Sequence, residues 1–82
     1  MKYLAPYYDL GIREYRFLNE AQQSAQWTAN DWIGHQAPAE DLEKEDISER
    51  WSDDGLRLFV EVRHGGNVYS RIFSIEVLDD IA

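Results

Sequence analysis

The amino-acid sequence predicts a small α+β domain in the order β-α-β-β-β, with one helix packed on one face of a mainly antiparallel sheet of about four strands. Three observations carry this expectation. A stripe of small residues recurs at helical spacing between Asn19 and Gly34. Apolar residues alternate along Leu56, Leu58, Val60 and Val62. The run His64-Gly65-Gly66-Asn67 then supplies the positive-φ residues that a tight hairpin turn demands. The chain has 82 residues, 44% of them apolar and 13% aromatic. That is one domain's worth of chain, spanning 1–82, and too apolar for a disordered tail.

The first element lies within Tyr7 to Leu18. Tyr8, Leu10 and Ile12 share one parity, while Tyr15 and Phe17 share the other. A period of two cannot keep both sets on one face, so a bulge near Gly11 or a later start is required. The spacing predicts a strand from Ile12 to Leu18 behind a tyrosine-rich lead-in. The helix follows, with Asn19 as N-cap, Gln22 in the capping-box position and Gly34 as the C-terminal cap. Ala21, Ala25, Thr28, Ala29 and Trp32 form its core stripe, and Trp32 is the expected anchor.

An acidic loop or short helix is expected over residues 38–46, opened by Pro38. A short strand through Ile47, Glu49 and Trp51 then enters the turn at Asp53-Asp54-Gly55. The hairpin completes the sheet. Its second strand carries Tyr69, Phe73, Ile75 and Val77 on one parity, and Val68, Ile72 and Leu78 on the other. An antiparallel sheet with a single covering helix should have one wet face. Phe59, Val68 and Ile72 therefore predict an apolar patch on the open face, suited most simply to a homodimer and otherwise to a heterologous partner.

Charge narrows the function. Sixteen acids against eight bases leave the chain at −8, which excludes a generic nucleic-acid binder and opposes docking on anionic membranes. The run from Glu40 to Asp54 holds eight acids and two bases, so most of the excess sits in one segment. No cysteine is present, which removes thiol nucleophiles, disulfides and zinc–thiolate sites. The opening residues Met1 to Pro6 lack the apolar stretch of a secretory signal, and the expected compartment is the cytoplasm. Neither a phosphate-cradling loop nor a two-histidine metal helix occurs. Asp53-Asp54-Gly55 lacks the calcium-loop spacing, since the next acid is Glu61. His35 and His64 are each read as solvated polar residues beside a glycine. The expectation is a non-enzyme without cofactor or metal.

What remains is binding. Glu40, Asp41, Glu43, Glu45, Asp46 and Glu49 offer a partner the electrostatic attraction that phosphate offers. Trp27 falls roughly 140° from the centre of the core stripe and offers an apolar anchor. Tyr7 and Tyr8 offer a second one. The expected partner is a protein with a basic surface, such as a nucleic-acid-binding complex, with no direct contact to nucleic acid or membrane. Size, acidity and the lack of catalytic motifs are similar in kind to phage-encoded inhibitors, among them anti-CRISPR proteins and DNA mimics. Immunity proteins that neutralise toxic nucleases share the same features. A structural subunit that dimerises through the open sheet face is the alternative.

Overall fold

Alternation and the glycine pair build the centre of the fold. Strands Arg57–His64 and Asn67–Ser74 form the hairpin, with Val60 opposite Arg71 and Val62 opposite Tyr69. Gly65 and Gly66 turn it at φ of 59° and 79°, values that only glycine adopts cheaply. The computed structural model describes residues 1–79. In chain order its elements are β1 (Lys2–Pro6), β2 (Ile12–Tyr15), α1 (Leu18–Gln36), β3 (Ile47–Trp51), β4 (Arg57–His64), β5 (Asn67–Ser74) and β6 (Glu76–Leu78). Two 3-10 turns, Ala39–Asp41 and Lys44–Asp46, lie between α1 and β3.

The class is α+β with one helix, but the single four-stranded sheet is replaced by two antiparallel sheets of three strands. Their orders are β2-β1-β6 and β3-β4-β5. Two features account for the difference. Lys2–Pro6 pairs on both sides, Tyr3 facing Tyr15 in β2 and Val77 in β6. Its five residues, KYLAP, show no apolar alternation, and its second partner β6 is remote in sequence, so no local period announces the strand. The last strand also divides at Ile75, leaving β5 in one sheet and β6 in the other.

Boundaries differ as well. The strand expected to reach Leu18 stops at Tyr15, and α1 already includes Leu18 and Asn19. Phe17 takes the N-cap position with no side-chain hydrogen bond. Gln22 makes no capping box; its Nε2 donates to the Gly55 carbonyl at 2.9 Å. Gly34 is no cap either. The helix runs on to Gln36 and ends at Ala37, just before Pro38. Gly11 sits in the β1–β2 turn at φ 111°, where its carbonyl accepts from the Tyr7 amide at 2.9 Å.

The stripe on α1 packs as its spacing requires. Ala21, Ala25, Thr28 and Ala29 are buried, together with Ser24 and Ile33. A methyl at each turn lets the helix axis approach the sheet, where Leu58, Val60, Val62, Phe73 and Ile75 fill the space below. Burying each of these five removes apolar surface worth roughly 1.5–3 kcal/mol. Trp32 is half-buried and meets the Phe73 ring edge-on at 6.0 Å, so it shares the anchoring role with Ile33.

Between β3 and β4 the chain turns through Ser52-Asp53-Asp54-Gly55. The Gly55 amide donates to the Ser52 carbonyl at 2.9 Å. Asp54 Oδ1 accepts from the Ser52 hydroxyl at 2.6 Å and from the Leu56 amide at 3.0 Å. The Ser52 hydrogen bond first, then the Leu56 amide and the Arg57 charge, hold the Asp54 carboxyl below its ordinary range. A carboxylate stabilised in the folded state contributes at neutral pH and loses that contribution as pH falls through the lowered value. Asp54→Asn is therefore expected to flatten the acid side of the stability profile, read from denaturant melts at neutral and acid pH. An unchanged acid limb would remove Asp54 from the account.

Candidate partner-binding surfaces

Three surfaces stand apart from the core, and the first is aromatic. Tyr7, at the end of β1, meets Tyr8 edge-on at 4.9 Å. Tyr8 lies parallel to Trp27 of α1, with centroids 6.5 Å apart and 9° between planes. The Arg13 guanidinium sits 4.7 Å above the Tyr7 ring. The structure thus joins three sequence-selected residues in one ladder, and Trp27 and Tyr8 stay 43% and 37% exposed. The acidic loop is not what the Trp27 ring lies against; its ring neighbour is Tyr8.

Tyr8 holds its place at a cost. Its φ of 52° is the left-handed region, which disfavours any side chain with a Cβ by about 1–2 kcal/mol. Its amide donates to Thr28 Oγ1 at 2.7 Å. The single Thr28 proton reaches the Pro6 carbonyl at 2.9 Å or the Ser24 carbonyl at 2.8 Å. The Ser24 hydroxyl also donates to Pro6, at 2.8 Å. Two hydroxyls of α1 therefore clamp the end of β1 and fix the strained turn. Thr28 reads in the sequence as a stripe residue only, and Ser24 gives no signal beyond helical spacing.

The second surface is acidic. Glu40, Asp41, Glu43 and Glu45 are exposed in and around the two 3-10 turns, with Asp46 half-exposed. Glu43 and Asp46 come together: Asp46 Oδ2 accepts from the Glu43 amide at 2.9 Å, and the Asp46 amide donates to the Glu43 carbonyl at 3.0 Å. Asp41 Oδ2 lies 3.6 Å from His64 Nε2 at the end of β4. Leu42 packs against the core from below, which pins this chain segment and turns its carboxylates outward. Glu49 stands apart on β3, where Gln26 Nε2 donates to its Oε2 at 2.6 Å. Gln26 faces β3 while Trp27 and Thr28 face the β1–β2 turn, so α1 separates Glu49 from the aromatic ladder. His35 pairs at 3.6 Å with Asp31 on its own helix. Among the described residues no three His, Asp or Glu side chains gather as metal ligands would.

The third surface is the open face of β3-β4-β5. With Leu58, Val60 and Val62 turned to the helix, the alternate parity points outward. It carries Phe59 opposite Ile72, with the Arg50 guanidinium 5.1 Å above the Phe59 ring. Val68 and Ile72 are exposed there. Arg50, Arg57 and Arg63 against Glu61 make this face basic in an acidic protein.

Comparison with protein-family models, curated proteins and solved structures returns no match for this chain. No helix among the described residues is long and apolar enough to cross a membrane.

Proposed function

We propose that this chain is a non-catalytic inhibitor that occupies the basic groove of a nucleic-acid-handling protein. In this reading it acts as a DNA mimic of the anti-CRISPR kind within the cytoplasm, probing a surface built for phosphate. The observation that supports the reading is the acidic segment after α1. Its carboxylates are exposed, and its backbone is held by its own turns and by Leu42. A preformed array of carboxylates attracts a basic groove without an ordering cost at the moment of binding. The Tyr7–Tyr8–Trp27 ladder supplies the apolar anchor, on a separate flank of the helix.

The structure selects the residues for the test. Glu43 and Asp46 hold the second 3-10 turn together, so their reversal would disturb the backbone. Glu40 and Glu45 are exposed and play no part in that bond. The double variant Glu40→Lys/Glu45→Lys is expected to lower affinity for a captured basic partner by at least about tenfold. Wild-type binding is expected to weaken with added salt and to be displaced by competing duplex DNA. Affinity unchanged by the reversal, or indifferent to both salt and DNA, would overturn the reading.

A further inference from the structure

The two edges of the β3-β4-β5 sheet are not alike. The β3 edge is five residues long and carries Glu49 and Arg50, the charged, short pattern that blocks strand addition. The β5 edge is eight residues long, reads NVYSRIFS and carries Arg71 as its one charge. Among the described residues its outer side pairs with no strand.

Parity identifies the unpaired groups. The Ile75 amide donates to the Leu56 carbonyl at 2.7 Å, and Ser74 stands opposite Arg57 in the same register. Odd-numbered residues of β5 therefore bond to β4, and the amides and carbonyls of Val68, Ser70 and Ile72 point away from it. The side chains of those same residues lie on the open face, where Val68 and Ile72 are 58% and 54% exposed. One stretch of chain thus presents unpaired backbone and uncovered apolar side chains together.

We propose that two copies of this chain pair antiparallel through the outer edge of β5, about a two-fold axis at Ser70. Only registers that match even residues with even residues bring outward groups together. Centring on Arg71 sets that cation against its own copy, which is unfavourable. Centring on Tyr69 sets Ile72 against Gly66, beyond the end of the strand. Centring on Ser70 sets Val68 against the second copy's Ile72 and Arg71 against the second copy's Tyr69. The open-face apolar residues of both copies then merge into one patch across a continuous sheet. The charge distribution favours the same arrangement. Asp41 and Asp46 border the hairpin end of β5 beside Asn67 and Val68, and antiparallel pairing centred on Ser70 sets the two hairpin ends, with their acidic segments, at opposite ends of the shared edge, about 20 Å apart. This dimer uses none of the residues proposed to meet a basic partner, and it relocates the dimer contact from the open face to the sheet edge.

The chain contains no cysteine, so a single introduced thiol reports the contact. Hydrogen-bonded antiparallel partners have Cα atoms about 5.5 Å apart, within disulfide reach. Under mild oxidation Ser70→Cys is expected to form a covalent dimer rapidly. Ser48→Cys, exposed on the same face of the β3 edge, is expected to lag well behind. Wild-type protein should sediment at twice the 9.6 kDa chain mass as concentration rises. The Val68, Ser70 and Ile72 amides should exchange more slowly over that range, while those of Tyr69 and Phe73 stay protected throughout. A chain that sediments as a monomer at millimolar concentration would overturn the proposal. So would cross-linking of Ser48→Cys as fast as Ser70→Cys, or exchange at the three amides that ignores concentration.

Discussion

Phe73→Ala is expected to remove a large share of the protein's stability. The ring is 2% exposed, faces the α1 stripe, and meets Trp32 edge-on at 6.0 Å. Arg71 covers it from one side with its guanidinium 4.9 Å from the centroid. Deleting a buried phenyl ring costs about 3–5 kcal/mol through lost transfer energy and the cavity left behind. A chain of this length has a total stability of roughly 4–12 kcal/mol, so the loss is a large share of the whole. Each kcal/mol moves the melting point of a small domain by about 4–8 °C, which puts the expected drop at roughly 12–40 °C. Phe73→Leu, which refills most of the volume, should recover most of it. Thermal melts followed by circular dichroism decide the matter. A drop in stability below about 1 kcal/mol for Phe73→Ala would show that the core does not centre there.

Thr28→Val is the second large effect, and it is local. Valine keeps the branch and the volume of threonine but leaves the Tyr8 amide without its acceptor, at a cost of about 1–3 kcal/mol. Pro6 loses less, because the Ser24 hydroxyl still donates to its carbonyl. The strained φ of Tyr8 is then no longer held, and the Tyr8 ring is expected to leave Trp27. Near-ultraviolet dichroism and tryptophan emission, corrected by a Trp27→Phe control, should both change, while Thr28→Ser, which keeps the hydroxyl, should preserve them. If Thr28→Val destabilised the fold with no change in either signal, the clamp on the ladder would be disproved.

The parts of this fold that can be read from the sequence are those whose apolar residues repeat at one period within a contiguous stretch. The hairpin is legible because alternation and Gly65-Gly66 specify it within twenty residues of contiguous sequence. The body of α1 is legible because Ala21, Ala25 and Ala29 recur at one angle. Its ends are not. Phe17 carries no polar cap, and Gln22 is recruited by Gly55 across a tertiary gap, so the capping chemistry suggested by Asn19 is never used. Gly34 has no positive φ to mark it as a cap, because Pro38 and not glycine stops the helix. β1 is hidden by Pro6 and by its mixed parity even though its partner β2 is close, and its second partner β6 lies more than seventy residues away. The candidate surfaces follow the same rule. The acids are contiguous and were visible as a run. Tyr7, Tyr8 and Trp27 were visible one by one, but the clamp that unites them depends on Thr28 meeting the Tyr8 amide from a distant element.

The division of the last strand at Ile75 has a consequence for how the molecule comes apart. The β3-β4-β5 sheet holds nearly all of the large buried side chains, whereas β2-β1-β6 contributes Ala5. The latter sheet is tied to the rest through the chain at Ile75, through the hydroxyl clamp on Pro6 and through Tyr3 and Tyr15, which pack against the common core. With fewer large side chains buried, it is expected to open at a lower free energy than the main sheet, which faster hydrogen exchange of the β1 amides than of the β4 amides would show. Tyr7 and Tyr8 travel with it, and Trp27 stays behind on α1. In that opening the aromatic ladder would act as a latch, its surface existing only while the smaller sheet is docked.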